Sequence, residues 1–241
     1  MFRRISFLSL RLRNIMAKNK LRRFREMKEW SNVFEPALTH ENKEPFPLKG
    51  KWNENYFQNN HPIVLELGCG KGEYAMGLAK HFPNKNFIGM DIKGARIWVG
   101  AKEAVENEIH NVGFLRSKID FITDYFAAGE VDEIWLTFSD PQPLKPRKRL
   151  TSKNFIDRYR EVLKPGGIIH LKTDSDLLFE STLDEIETHG YNCLEKTWNL
   201  YGELPDDLDV RTRDILHIKT HYENLFTAKG FDIKYCQFKI D

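Results

Sequence analysis

Val64-Leu-Glu-Leu-Gly-Cys-Gly-Lys-Gly72 decides the fold. The apolar run 63–67 reads as a strand, and the pattern from residue 72 to 81 reads as a helix. Between them the chain must reverse within five residues. Glycine allows that turn without steric strain and lets a ligand approach bare backbone. Working outward, apolar runs recur at 86–90, 112–115, 133–138 and 167–171, separated by helical patterns at 94–108, 117–126 and 152–163. Short apolar strands alternating with helices of 10–15 residues imply βαβ units and a parallel sheet covered on both faces. A helix at 177–189, a strand at 193–199, a polar loop around Pro205, a helix at 213–229 and a strand at 233–238 complete the pattern. The expected class is α/β, with a doubly wound, mostly parallel sheet.

The chain has 241 residues, of which 41% are apolar and 30% charged, enough for one large domain with a core. That balance excludes collagen, a coiled-coil rod and wholesale disorder, and no apolar run is long enough for a membrane helix. Cys69, Cys193 and Cys236 are odd in number and far apart, which argues against a disulfide framework or zinc site and for a reducing cytoplasm. Charge is uneven. Residues 1–28 hold ten Lys or Arg against one acid, Glu26, so the net charge is +9 there and −7 over the rest. A basic arm on an acidic body suits a polyanionic partner. Residues 1–60 therefore read as a basic extension and arm with one short helix, and residues 61–241 as the main domain. Residues 1–15 look like a presequence, but their apolar run is too short for a secretory core and no small-residue cleavage site follows. Met16 opens a second basic start, and the functional chain is expected to begin there.

The chemistry-bearing residues collect where strands end. Gly68, Gly70 and Gly72 form the loop, but Glu73 fills the slot of the third glycine in a dinucleotide fingerprint. Glu66 precedes the loop, and Asp91 lies 21 residues after Gly70, where an acid can take a ribose diol. Two carboxylates suit a cationic ligand better than a pyrophosphate. Asp140 follows the fourth strand in Phe138-Ser-Asp-Pro-Gln-Pro143, stiffened by two prolines. The basic run Lys145, Arg147, Lys148, Arg149 and Lys153 is then placed to grip phosphates. Asp174 ends the fifth strand. His217 and His221 have helical zinc spacing, but Ile218 stands where H-E-x-x-H needs its glutamate, so no metal is expected. By spacing alone, Thr220 and Glu223 are a surface pair on one helical face.

The loop is similar to the E/D-x-G-x-G-x-G of S-adenosylmethionine-dependent methyltransferases. With the Lys18-Asn-Lys-Leu-Arg22 arm, the Asp140 loop and its basic tail, Lys172-Thr-Asp174, and Thr220-x-x-Glu223-x-x-Phe226-x-x-x-Gly230, the chain from about Met16 onward resembles the tRNA (guanine-N7-)-methyltransferase family. It departs from that family's Pro-Asp-Pro-Trp loop, since Ser139 and Gln142 replace the first proline and the tryptophan. The resemblance implies a seven-stranded class I methyltransferase fold with an antiparallel last strand. It also implies S-adenosylmethionine as cofactor and a tRNA guanine, in the variable loop, as substrate. Glu66, Gly68, Gly70, Gly72, Asp91 and Asp140 would bind the cofactor, and Lys118 would meet its adenine through backbone. Asp140 would lie between cofactor and base, Asp174, Thr220 and Glu223 would hold the guanine, and Lys145 would contact the RNA. The resemblance leaves monomer or homodimer open.

Guanine N7 carries a free lone pair and loses no proton on alkylation. An in-line displacement there needs no general base, and no Ser, His or Cys constellation is present. Rival readings are methyltransferases acting on RNA adenine, on protein or on a small molecule. The first two use a proline motif ending in a stacking aromatic, where this chain has Gln142, and the third has no use for the basic arm. Deleting residues 1–28 is expected to weaken tRNA binding and to flatten the dependence of log Kd on log salt, because fewer phosphates are neutralised. Filter binding across a salt series measures that slope.

Overall fold

The computed structural model describes residues 19–36, 44–203, 214–218, 220, 223, 225 and 227–241. Residues 1–15, the loop around Pro205, His221 and Phe226 lie outside the described residues. The described residues open with α1, helical over residues 19–29. The strands are β1 (Val33–Phe34), β2 (Ile63–Leu67), β3 (Asn86–Asp91), β4 (Val112–Arg116), β5 (Val131–Thr137), β6 (Leu163–Thr173), β7 (Asn192–Thr197) and β8 (Lys234–Lys239). The helices between them are α2 (Glu73–His81), α3 (Gly94–Glu106), α4 (Ile122–Tyr125), α5 (Lys153–Val162) and α6 (Asp176–His189).

The sheet runs β1-β4-β3-β2-β5-β6-β8-β7. Its pairings are parallel except those of β8 with β6 and β7. The chain therefore winds outward from β2 in one direction and from β5 in the other. In such sheets the crevice at the carboxyl ends of the two central strands takes the ligand. Every residue of β2 and β3 is buried, as strands covered on both faces require.

The core falls into two clusters, one centred on Leu65, Ile88, Leu136 and Ile169 and the other on Val64, Phe87, Tyr74 and Trp135. Helices begin and end where local chemistry dictates. Ser175 caps α6 by accepting a hydrogen bond from Leu178 N at 3.2 Å, and Gly190, with φ of +65°, ends it. α3 passes close over the loop before α2 because position 100 is glycine. A Cβ there would stand 2.5 Å from the Lys71 carbonyl oxygen.

Four features differ from the sequence expectation. The sheet has eight strands, not seven, because Val33 and Phe34 add a two-residue edge beside β4. β6 starts four residues before the expected 167, since the register jumps between Val131↔Leu163 and Glu133↔Ile168 and the Lys-Pro-Gly segment bulges out. The helix expected at 117–126 is a 3₁₀ turn, Ile119–Phe121, followed by the single turn of α4. Ser117 is drawn back instead, and its hydroxyl bonds Tyr125 Oη at 2.7 Å. Of the helix expected at 213–229, residues 214–216, 223, 225 and 227 are helical, whereas 217, 218 and 220 are not. The carbonyls of Leu216 and Ile218 accept from Lys172 Nζ, at 2.7 and 3.3 Å.

The amino-terminal segments are built into the body. On α1, Met27 is fully buried. The Arg23 guanidinium lies 4.5 Å from the Trp98 ring centroid and donates to Ala95 O, while Glu26 accepts from Trp98 Nε1 at 2.7 Å. Arg23 is therefore cement between α1 and α3. Trp52 has no exposed surface. Its ring stacks on Phe126 at 5.5 Å and meets Phe34 edge-on at 5.0 Å, and its Nε1 donates to Tyr125 O. Trp52→Ala is expected to destabilise the protein by about 3–5 kcal/mol, measured by urea unfolding.

Candidate active site

A cleft of about 880 Å³ opens at the carboxyl ends of β2, β3, β4 and β5. Glu66, Gly68, Gly70, Asp91, Lys118, Asp140 and Thr220 all line it. Gly72, Lys145, Asp174 and Glu223 are not on its wall.

The glycine loop has the conformation its sequence demands, with φ of +78°, +57° and +73° at Gly68, Gly70 and Gly72. At Gly72 the reason is also steric, because a Cβ would meet Phe114 Cε1 at 2.4 Å. At Gly70 a Cβ would meet nothing within 4 Å, so this peptide faces open cleft. Asp91 clasps the loop from the next strand. Its Oδ2 accepts from Gly70 N at 2.9 Å and its Oδ1 from Lys93 N at 2.7 Å.

Glu66 is buried in mid-strand. Its Oε2 accepts from Ala75 N at 2.9 Å, in the first turn of α2, and its Oε1 accepts from Thr137 Oγ1 at 2.6 Å, at the end of β5. Gly72, the N-cap of α2, has no side chain to cap with, so Glu66 supplies the acceptor from the strand. Burial nevertheless dominates and pushes its carboxyl up to about 7.

The Asp140 loop is held at several points. Phe138, with φ of +49°, donates its N–H to Lys172 O, and Asp140 Oδ1 accepts from Gln142 N at 2.9 Å. Asp140 is exposed at the cleft's rim. Ser139 beside it is buried on the cleft wall, and its hydroxyl has no partner. From below, the buried Arg149 donates Nε to Pro141 O at 3.0 Å and Nη1 to Ser181 Oγ at 2.7 Å. Arg149 thus faces inward, and Lys153 pairs with Asp157. Of the basic run, Lys145, Arg147 and Lys148 point to solvent, and Lys148 is the one on the cleft wall.

Thr220 and Glu223 are not a surface pair, because both are buried. Thr220 Oγ1 accepts from Glu223 N at 3.2 Å and Glu223 Oε2 from Thr220 N at 3.4 Å, a reciprocal capping box. Glu223 Oε1 also lies 3.0 Å from Lys172 Nζ and accepts from the Tyr201 hydroxyl. Asp174 is half-buried, and burial raises its carboxyl above the usual range. Its carbonyl accepts from Lys234 Nζ at 3.0 Å.

Sequence reasoning missed Asp120, which reaches the cleft from the turn after β4. It comes four residues after the strand's last residue, Arg116, and two after Lys118, the residue expected at the adenine. Ser139 carried no signal, because only its burial makes its unpaired hydroxyl conspicuous.

A family model described as "Putative methyltransferase" matches residues 60–236. A tRNA (guanine-N(7)-)-methyltransferase of Bacteroides thetaiotaomicron is 51% identical over 226 residues, 93% of this chain and 87% of that one. Its namesake in Christiangramia forsetii is 47% identical, over 93% of this chain and 99% of that one. The chain belongs to the tRNA (guanine-N7-)-methyltransferase family. Among solved structures, the 16S rRNA methyltransferase KamB superposes with a TM-score of 0.60 at 14% identity, over 85% of this chain and 98% of that one. The 16S rRNA (adenine(1408)-N(1))-methyltransferase of Catenulisporales acidiphilia, solved with its cosubstrate SAM, superposes with a TM-score of 0.57 at 14% identity, over 85% and 95%. The sheet order and the antiparallel β8 are thus those of class I methyltransferases.

Glu66 gives a pH signature. Its folded-state carboxyl titrates near 7 against an ordinary 4.5. Between these values the folded state binds more protons than the unfolded, so this group's contribution to stability falls as pH rises through that window. Glu66→Gln mimics the protonated form. It is expected to melt with the wild type at pH about 4 and above it at pH about 8, as read by thermal unfolding at the two pH values.

Proposed function

We propose that this protein methylates N7 of a guanine in tRNA, with S-adenosylmethionine as methyl donor. One observation carries the reading. A single cleft brings the glycine loop, Glu66 and Asp91 together with Asp140 and Thr220.

The residues present fit the donor. Gly70 leaves its peptide open to the cleft, and the Ser139 hydroxyl awaits a partner. Glu66, Asp91, Asp120 and Asp140 surround the space with carboxylates, which suit a sulfonium and an ammonium. Glu66, Asp91 and the backbone of Gly68 and Gly70 would hold it, with Lys118 and Asp120 at the adenine end. When bound, S-adenosylmethionine supplies an electrophilic methyl group.

The protein's own part is alignment and charge. N7 gives up no proton, so none of these carboxylates has to act as a base. Fixing the reacting atoms in line is worth up to about 7–11 kcal/mol in good cases. The guanine ring gains positive charge as N7 is alkylated, and the Asp140 carboxylate, fixed by Gln142 N, stabilises that charge. Guanine N1–H and its amino group are donors from which the Asp140 carboxylate, on the cleft wall, can accept. Adenine does not offer that pair of donors, and an unsatisfied carboxylate would disfavour it. Thr220 contributes from the cleft wall, with Glu223 directly behind it. Exposed Lys145, Arg147 and Lys148 contact phosphates around the entrance. Because the base must reach a recessed site, it leaves its stack in the RNA. Free thiols at Cys69, Cys193 and Cys236 suit a cytoplasmic setting.

Purified protein incubated with bulk tRNA and labelled donor is expected to yield 7-methylguanosine on nucleoside analysis. Asp140→Ala should lose at least about 100-fold in kcat, in the range seen when one electrostatic stabiliser is removed, with thermal stability unchanged. Labelled N-methyladenosine would favour the adenine reading instead.

A further inference from the structure

Lys172 lies one residue before the end of β6, and its side chain is fully buried. A buried ammonium needs acceptors for its three protons and a counter-charge. Lys172 finds Glu223 Oε1 at 3.0 Å, Leu216 O at 2.7 Å, Ile218 O at 3.3 Å and the Tyr201 hydroxyl at 3.1 Å. All of these partners lie between residues 201 and 223, the stretch that carries Thr220 onto the cleft wall. At the same time the Lys172 carbonyl accepts from Phe138 N at 2.8 Å, where the chain turns left-handed into Ser139 and Asp140. One residue thus fastens both lips of the cleft, one through its side chain and the other through its backbone.

A plain anchor would not need this chemistry. An apolar side chain of similar size often stabilises as well as a buried ion pair does. The ion pair adds direction. It gathers the carbonyls of Leu216 and Ile218 onto one ammonium beside Thr220, and it holds Glu223, whose other oxygen accepts from Thr220 N. Glu223 spends one oxygen on Lys172 and Tyr201 and the other on Thr220 N.

We infer that Lys172 is a positioning residue for methyl transfer, setting Thr220 against the cleft through Glu223 and the carbonyls of Leu216 and Ile218. This rests on the guanine reading above. Glu223 in turn acts as the relay between Lys172 and Thr220.

The test compares the full-length wild type with Lys172→Met, Glu223→Gln and the double variant. Steady-state methylation of tRNA is measured well below the melting temperatures, S-adenosylmethionine affinity by calorimetry, and melting by circular dichroism. In Lys172→Met, kcat is expected to fall about 10- to 100-fold, as for a small misplacement of reacting groups, with S-adenosylmethionine affinity unchanged. The double variant no longer buries a lone carboxylate, so it should melt above Lys172→Met. Its kcat should nevertheless remain no lower than that of the poorer single variant, because both changes break one relay. Wild-type kcat in Lys172→Met overturns the inference, and so do single-variant losses that multiply in the double variant. Should Lys172→Met not fold, wild-type kcat in the double variant overturns it equally. A wild-type product other than 7-methylguanosine overturns the guanine reading alone, because the same rate comparison on that product still tests Lys172.

Discussion

A carboxylate in the middle of a parallel strand survives only where the surrounding chain supplies donors, and Glu66 sits in such a place. One oxygen receives the start of α2 and the other the end of β5. Those are the elements on either side of the switch point, so a single side chain holds the glycine loop and the Asp140 strand at fixed separation. The loop can dispense with a side-chain cap at Gly72 because the strand provides one. Asp91 repeats the device one strand further out, accepting from Gly70 N and Lys93 N. Acids that a sequence reader assigns to a ligand are thus also the braces of their own site. Burial also leaves Glu66 titrating near neutrality, so a cation arriving in the cleft favours its ionised form.

Charge of the opposite sign is buried on the other side of the cleft. The Lys172–Glu223 pair has no exposed surface on either side chain. Beside it, an expected helix of seventeen residues is interrupted at 217, 218 and 220, and a capping box joins Thr220 to Glu223. Thr220 is buried there. An unbroken helix would keep Thr220 and Glu223 on a regular face, which is the surface pair their spacing suggests.

The legible parts of the chain were those where one local rule governs. The apolar runs of β2, β3, β4 and β5 are buried on both faces and cannot be mistaken for anything else, and the glycines at 68, 70 and 72 have a conformation few other residues adopt. Illegible parts were decided at a distance. Val33 and Phe34 become a strand only because β4 offers an edge, and Trp52 becomes core only because Phe34 and Phe126 close around it. Arg149 looks in sequence like its neighbours Arg147 and Lys148, yet the carbonyl of Pro141 turns it inward. Ser117 pulls a predicted helix apart through one hydroxyl bond to a tyrosine eight residues on.

The same distinction explains how the site departs from its family's loop without losing its shape. Ser139 and Gln142 stand where the sequence resemblance leads to an expectation of proline and tryptophan, so no ring at 142 stiffens the loop by packing. Here stiffness comes from hydrogen bonds: Gln142 N to Asp140, Phe138 N to Lys172 O, and Arg149 to Pro141 O. Left-handed φ values at Phe138 and Gln142, of +49° and +45°, are held by those bonds, since neither residue would adopt them freely. The carboxylate at the cleft's rim is therefore fixed by backbone bonds, among them the Lys172 carbonyl, and by one buried cation, Arg149, bound to Pro141 O. Aromatic packing at position 142 can be lost as long as those bonds stay in place.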